Sequence, residues 1–165
     1  MNAEQLIREL GRSLGIALEL SNTGTCRAAF DGDVVDFEAS GESLWVMADL
    51  GPALHREDAS TSLLSANSLG LQTGGATIAL DEERSMFTMH MELWSDMPYA
   101  VFEKRLAMFI KALRWWKEWL ALPPIVNIVK DARAMDRERV VSGQADGIMQ
   151  DVYAPMGMPA GALRI

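Results

Sequence analysis

Residues 25–50 read TCRAAFDGDVVDFEASGESLWVMADL. Asp31-Gly32 stands between two alternating runs, and this dipeptide accepts the positive φ angles of a two-residue hairpin turn. The pattern predicts one strand at about 25–30 and a second at about 33–38. In the second, Val35 and Phe37 share one face and Val34, Asp36 and Glu38 the other. Ala39-Ser40-Gly41 predicts a turn into a third strand at 43–50. There Leu44, Val46, Ala48 and Leu50 form one face, while Trp45 and Met47 make the other apolar too. A strand apolar on both faces is usually covered on both. One cover would be a helix of the same chain; the other would be a second subunit, a bound segment or the chain's own tail.

Working outward, Ala3, Leu6, Ile7, Leu10 and Leu14 recur at helical spacing, predicting a helix over 2–14 capped by Gly15. Ile16 to Leu20 reads as a short extended piece, and Ser21 to Gly24 as a turn. On the other side, a second helix is expected at about 57–69, with Leu63, Leu64 and Asn67 near one stripe, ending at Gly70. Leu71 to Gly75 reads as a loop, followed by strands at 76–80 and about 85–93 with a turn at 81–84. Phe87, Met89, Met91 and Leu93 alternate with Thr88, His90 and Glu92.

A third helix is expected at about 98–120, with Pro98 in its first turn. Its apolar residues cover roughly 220°, more than one sheet requires. Either the helix is sandwiched inside its own domain, or its Trp115/Trp119 side meets another segment. Pro123-Pro124 ends it. The predicted organisation is therefore a domain over 1–120 and a C-terminal extension over 121–165. Within the extension, Ile125 to Val129 carries enough apolar surface to dock. Residues 130–140 read as a short charged helix, and the Gly-, Pro- and Met-rich stretch from Ser142 reads as mobile. The extension has three readings: covering the Trp115/Trp119 side, occupying a partner groove, or hanging free.

The chain has 165 residues, 49% hydrophobic and 23% charged, a globular composition. Its net charge is −8. Phosphate-binding cations are too few for a nucleic-acid partner, and no polybasic anchor is present. The charge is uneven: residues 1–97 carry 16 acids against 5 Lys/Arg, whereas 98–120 carry 2 against 5. An acidic body thus bears one basic helix. Charges interrupt the most apolar region, so no membrane insertion is expected. The N-terminus does not read as a secretory signal. The single Cys26 excludes an internal disulfide and suits a reducing compartment.

Signs of chemistry are sparse. There is no nucleophile elbow and no phosphate loop with its Lys. His55 and His90 are isolated, and His90 reads as a solvated strand residue. Asp31, Asp33, Asp36 and Glu38 lie on or beside a regular strand, which does not suit a calcium loop. Cys26 alternates with Ala28 and Phe30 and reads as a small buried hydrophobe. No cofactor, metal or enzymatic activity is expected. Eleven methionines and five tryptophans point instead to interaction surface, or to Met filling a core.

Three stretches, taken in order, carry a resemblance. The first is Leu10-Gly11-Arg12-Ser13-Leu14-Gly15-Ile16-Ala17-Leu18-Glu19-Leu20, followed by Gly24-Thr25-Cys26 and Phe30-Asp31. The second is Leu63-Leu64-Ser65-Ala66-Asn67-Ser68-Leu69-Gly70. The third is Thr73-Gly74-Gly75-Ala76-Thr77-Ile78-Ala79-Leu80-Asp81-Glu82. With a closing helix that holds Phe102 and Trp116, this order resembles the Tir-chaperone (CesT-like) family, class I chaperones of bacterial type III secretion. The resemblance spans about residues 2–120.

It implies an α+β fold of order α-β-β-β-α-β-β-α, with a twisted, mainly antiparallel sheet packed on helices. It further implies a bacterial cytoplasmic homodimer that binds the N-terminal segment of a secreted effector in extended form, with the export apparatus as a further partner. By motif position, effector contacts are expected near Leu14, Ile16, Leu18, Cys26 and Phe30. Dimer contacts are expected near Leu63, Leu64, Asn67 and Leu71. Plain core packing is the competing reading at each. Two other functions are open: an adaptor of similar fold binding a folded partner outside secretion, and a small-ligand-binding domain, which would need a convergent polar pocket.

Overall fold

The structure is a computed structural model that describes residues 1–123. The expected features at 125–129, at 130–140 and from Ser142 onward lie outside the described residues.

The first element is helix α1, Ala3–Leu14. Asn2 caps it through a capping box with Gln5, and Gly15 closes it at φ +69, a left-handed conformation that glycine adopts without steric cost. Residues 16–20 then run back along α1 without regular secondary structure. Gly11 makes this close approach possible. A Cβ there would stand 2.8 Å from the Ile16 carbonyl oxygen and 2.9 Å from the Leu18 Cβ.

Strands β1 (Thr25–Phe30), β2 (Asp33–Ser40) and β3 (Ser43–Pro52) follow. Asp31 and Gly32 both have positive φ, as the Asp-Gly pair predicts. The next turn lies later than expected, because Ser40 and Ser43 still pair across the strands. Gly41 takes the positive φ there. Helix α2 spans Glu57–Ala66, shorter than its apolar spacing suggested. A short 3₁₀ turn, Ser68–Gly70, comes next, where Leu69 adopts φ +60. The helix stops because the Asn67 side chain turns to β4 (Thr77–Asp81). Its amide donates to the Ile78 carbonyl at 3.0 Å and accepts from the Ile78 N–H at 2.8 Å. Strand β5 (Met86–Trp94) and helix α3 (Tyr99–Ala121) complete the order. Pro98 is the N-cap residue of α3, one position before its first turn.

The five strands form one antiparallel sheet in the order β1-β2-β3-β5-β4. The expected α+β architecture is therefore borne out. One face, with Val35, Phe37, Leu44, Val46, Met89 and Met91, joins Leu6, Ile7 and Leu10 of α1 and Phe102, Phe109 and Leu113 of α3 in a single buried core. Trp116 belongs to this core and donates its indole N–H to the Gln72 carbonyl at 3.0 Å.

The opposite face of the sheet has no helix over it among the described residues. Trp45 and Met47 are half-buried there, and the Trp45 ring lies 6.0 Å from that of His90. His90 is thus packed rather than simply solvated. Helix α3 is likewise covered on one side. Phe102, Leu106, Phe109, Leu113, Trp116 and Leu120 are buried, whereas Val101, Met108 and Trp115 are exposed. Among the described residues it is not a sandwiched helix.

Candidate partner-binding surfaces

The first surface surrounds strand β1, an outer strand of the sheet. Phe30 and Asp33 close a two-residue hairpin, so Cys26, Ala28 and Phe30 turn their backbone groups toward β2. Thr25, Arg27 and Ala29 turn theirs outward. The Thr25 carbonyl accepts from the Ser21 N–H at 2.8 Å. Arg27 and Ala29 leave backbone donors and acceptors on an edge that nothing pairs among the described residues. Such an edge is a template for an extended chain.

Four of the expected partner-contact residues keep accessible surface. Leu14 and Ile16 are exposed apolar side chains. Cys26 and Phe30 are half-buried at the margin of the core. Leu18 differs: it is buried against Gly11 and serves the core. Burial pushes the Cys26 thiol up to about 11, with the Asp36 carboxylate adding to the shift. The thiol stays protonated at neutral pH and acts as a small apolar group rather than a nucleophile.

The hairpin at the end of this strand is held to α3. Arg114 donates to the Phe30 carbonyl at 2.9 Å, to Asp31 at 3.0 Å and to Asp33 at 2.9 Å. Lys117 donates to the other Asp33 oxygen at 2.8 Å. Burial of Asp33 raises its carboxyl pKa, but hydrogen bonds and charge from Lys117 and Arg114 outweigh this and hold it below the usual range. These contacts fix the position of Phe30 and the end of the open edge. Sequence reading missed them because Asp33 and Lys117 are 84 residues apart.

The second surface is built from α2, the 3₁₀ turn and β4. Leu64, Leu69 and Leu71 are 70%, 88% and 81% exposed. Three leucines turned to solvent in adjacent segments form the kind of apolar patch that marks an interface. Leu80, at the far end of β4, is also exposed. Leu63 is instead buried in the core. Asn67 is engaged with Ile78, where it satisfies one outward backbone pair of the β4 edge. Leu69 escaped the sequence reading because a leucine with positive φ breaks the helical spacing that would have flagged it.

A shallow cleft lies on the open sheet face, floored by Trp45, Met47, Thr88 and His90. Its polar margins are internally paired: Arg27 with Asp36 at 2.6 Å, and Arg84 with Asp49 at 3.0 Å and Asp81 at 2.7 Å. Among the described residues there is no group of three or more His, Cys, Asp or Glu arranged to hold a metal, and no helix long and apolar enough to cross a membrane.

The sequence pattern of the Tir chaperone protein (CesT) family matches residues 5–117, most of the span from α1 to α3. No curated protein sequence matches the chain. Among solved structures, the fold is similar to that in the HopA1–SchA chaperone–effector complex, with TM-score 0.60, 21% identity, and coverage of 69% of this chain and 91% of that one. It is also similar to the ExsC–ExsE complex, with TM-score 0.61, 18% identity and coverage of 76% and 99%. A third is the Yersinia pestis type III secretion chaperone SycH in complex with a fragment of YscM2, with TM-score 0.57, 18% identity and coverage of 68% and 98%. At these identities the likeness is one of fold.

Proposed function

The chain belongs to the Tir chaperone protein (CesT) family, and on that premise we propose that it is a homodimeric type III secretion chaperone. It binds the N-terminal segment of a secreted effector and keeps that segment extended and competent for export. The observation that carries this reading is the family match across 113 residues, 5–117. A neighbour of the same fold solved as a chaperone–effector complex supports it.

The geometry fits such a partner. An unfolded segment loses about 1–2 kcal/mol of backbone entropy per residue when it is ordered. The open edge at Arg27 and Ala29 offers backbone hydrogen bonds, and Leu14, Ile16 and Phe30 offer accessible apolar area to offset that loss. The exposed leucines at 64, 69 and 71 form the contact between two copies. The export apparatus is a further partner, and the compartment is the bacterial cytoplasm.

The deciding experiment is affinity capture of the full chain from its native host, followed by limited proteolysis of what is bound. Recovery of a secreted protein protected over an N-terminal stretch establishes the function. Recovery of only folded cytosolic proteins overturns it.

A further inference from the structure

Helix α3 carries a second surface that neither the effector segment nor the second copy accounts for. Val101, Met108 and Trp115 are 46%, 43% and 52% exposed, and Leu122, just past the helix, is 58% exposed. These four stand seven residues apart in sequence. A strict seven-residue repeat drifts by only about 20° per heptad on a straight helix, so the four form one gently winding row. The buried side of α3 is centred on Leu106, Phe109, Leu113 and Leu120, well round the helix from this row.

Lys104, Arg105 and Lys111 stand in the gaps of the row, with Glu118 the one acid on the same flank, and all four are exposed. None forms an ion pair among the described residues, whereas Arg114 and Lys117 of the same helix are committed to Asp31 and Asp33. One side of the row is bounded by the 70–75 loop. There Gly74 approaches the Met108 backbone so closely that a Cβ would lie 2.7 Å from its carbonyl oxygen.

We propose that this row docks an amphipathic helix of another protein, with an apolar seam at heptad spacing and acidic flanks. An apolar row of period seven is the complement of a second helix, whose side chains fill the spaces between the knobs. The flanking charges choose the partner, and three cations unpaired among the described residues, against the single Glu118, choose acids. A second copy of this chain is the weaker fit. Parallel pairing of two α3 helices sets every cation beside its like. Antiparallel pairing matches Lys104 with Glu118 of the other copy but sets Lys111 against its own counterpart at the centre, whereas the acidic flanks of another helix answer every cation of the row. An anionic membrane fits poorly as well. The row is narrow, and residues 1–97 behind it carry an excess of 11 acids, which repels such a surface.

The test uses the full chain and two labelled three-heptad peptides with Leu at the a and d positions. One carries Glu at e and g, the other Lys. Fluorescence anisotropy should show the Glu peptide binding at least about tenfold more tightly than the Lys peptide. Lys104→Glu with Lys111→Glu should reverse that preference, and Met108→Glu should weaken binding of the Glu peptide by about tenfold. Equal binding of the two peptides overturns the proposal, as does a preference that survives the charge reversal. Binding of phosphatidylserine-containing vesicles that Met108→Glu abolishes also overturns it, in favour of a membrane. Self-association of the free chain that Met108→Glu abolishes overturns it in favour of a second copy. If Met108→Glu does not fold, as judged by circular dichroism, the charge reversal alone decides.

Discussion

Leu63 and Leu64 are adjacent and chemically identical, yet one is 3% exposed and the other 70%. Consecutive helical residues point about 100° apart, so α2 turns one inward and its neighbour outward. Substitution should separate folding from assembly at this pair. Leu63→Ala removes buried methyl groups and should cost about 2–5 kcal/mol of stability, read in chemical denaturation. Leu64→Asp should leave the monomer's stability within about 0.5 kcal/mol of the parent, because it replaces a solvated side chain. In sedimentation equilibrium, the same change should convert a species of about twice 18.2 kDa to a monomer, because a carboxylate buried at an apolar contact is costly. A dimer unaffected by Leu64→Asp would place the contact elsewhere. Helical spacing identified α2 but put both leucines near one stripe. The neighbours that separate them come from distant parts of the chain.

At the scale of elements, α3 is pinned at two places by residues from outside it. Its last turn contains no basic residue. Arg56, from the loop before α2, donates instead to the Leu120 and Leu122 carbonyls. The guanidinium also pairs with Asp58 at 3.1 Å and lies 5.7 Å from the Trp119 ring centre. Arg56 and Asp58 side chains are both largely buried. Arg56→Ala should therefore cost about 3 kcal/mol, since it strands the Asp58 charge and the helix-end carbonyls. Arg56→Lys keeps the charge but loses the planar fork, and should fall between the two in thermal denaturation.

The other attachment is the Asp33 clamp to Arg114 and Lys117, and it makes an acid-sensitive contribution. The folded state holds the Asp33 carboxyl below its ordinary pKa, so the unfolded chain binds this proton more readily. The contribution is then fully present above the unfolded pKa of about 3.9 and is lost as pH falls through the lower folded value. Asp33→Asn should be less stable than the parent at neutral pH, with the difference shrinking in denaturation curves taken below about pH 4. A difference independent of pH would mean that the clamp acts through packing alone.

At the scale of the whole molecule, every buried core residue among those described lies between Ala3 and Leu120. A fragment of residues 1–123 retains this core together with the Arg56 contact to Leu122. It should unfold in one cooperative transition, with coincident near- and far-ultraviolet circular dichroism. Separate transitions would mean that the core needs residues beyond 123. The charge division has a consequence at the same scale. The open edge on β1 and the row on α3 belong to regions of opposite net sign. Partners of opposite charge can therefore be steered to different surfaces without competing.

The sequence alone determined the order of elements, because strand alternation, helical spacing and the Asp31-Gly32 and Gly15 signals are local and carry their own conformational preferences. It also determined the acidic body and basic helix, since charge is a sum over residue types. The family resemblance was legible too, in the ordered leucine and glycine stretches from Leu10 to Glu82. The tertiary structure decided which apolar residues are core and which are surface. Leu18 and Leu63 went inward, Leu64, Leu69 and Leu71 outward, and Val101, Met108 and Trp115 of α3 stayed exposed among the described residues. It also decided that Asn67 would cap the β4 edge and that Arg56 would close α3. These outcomes depend on contacts between residues far apart in the chain. Burial belongs to the packed arrangement rather than to a residue type, and spacing within one segment carries no record of what packs against it.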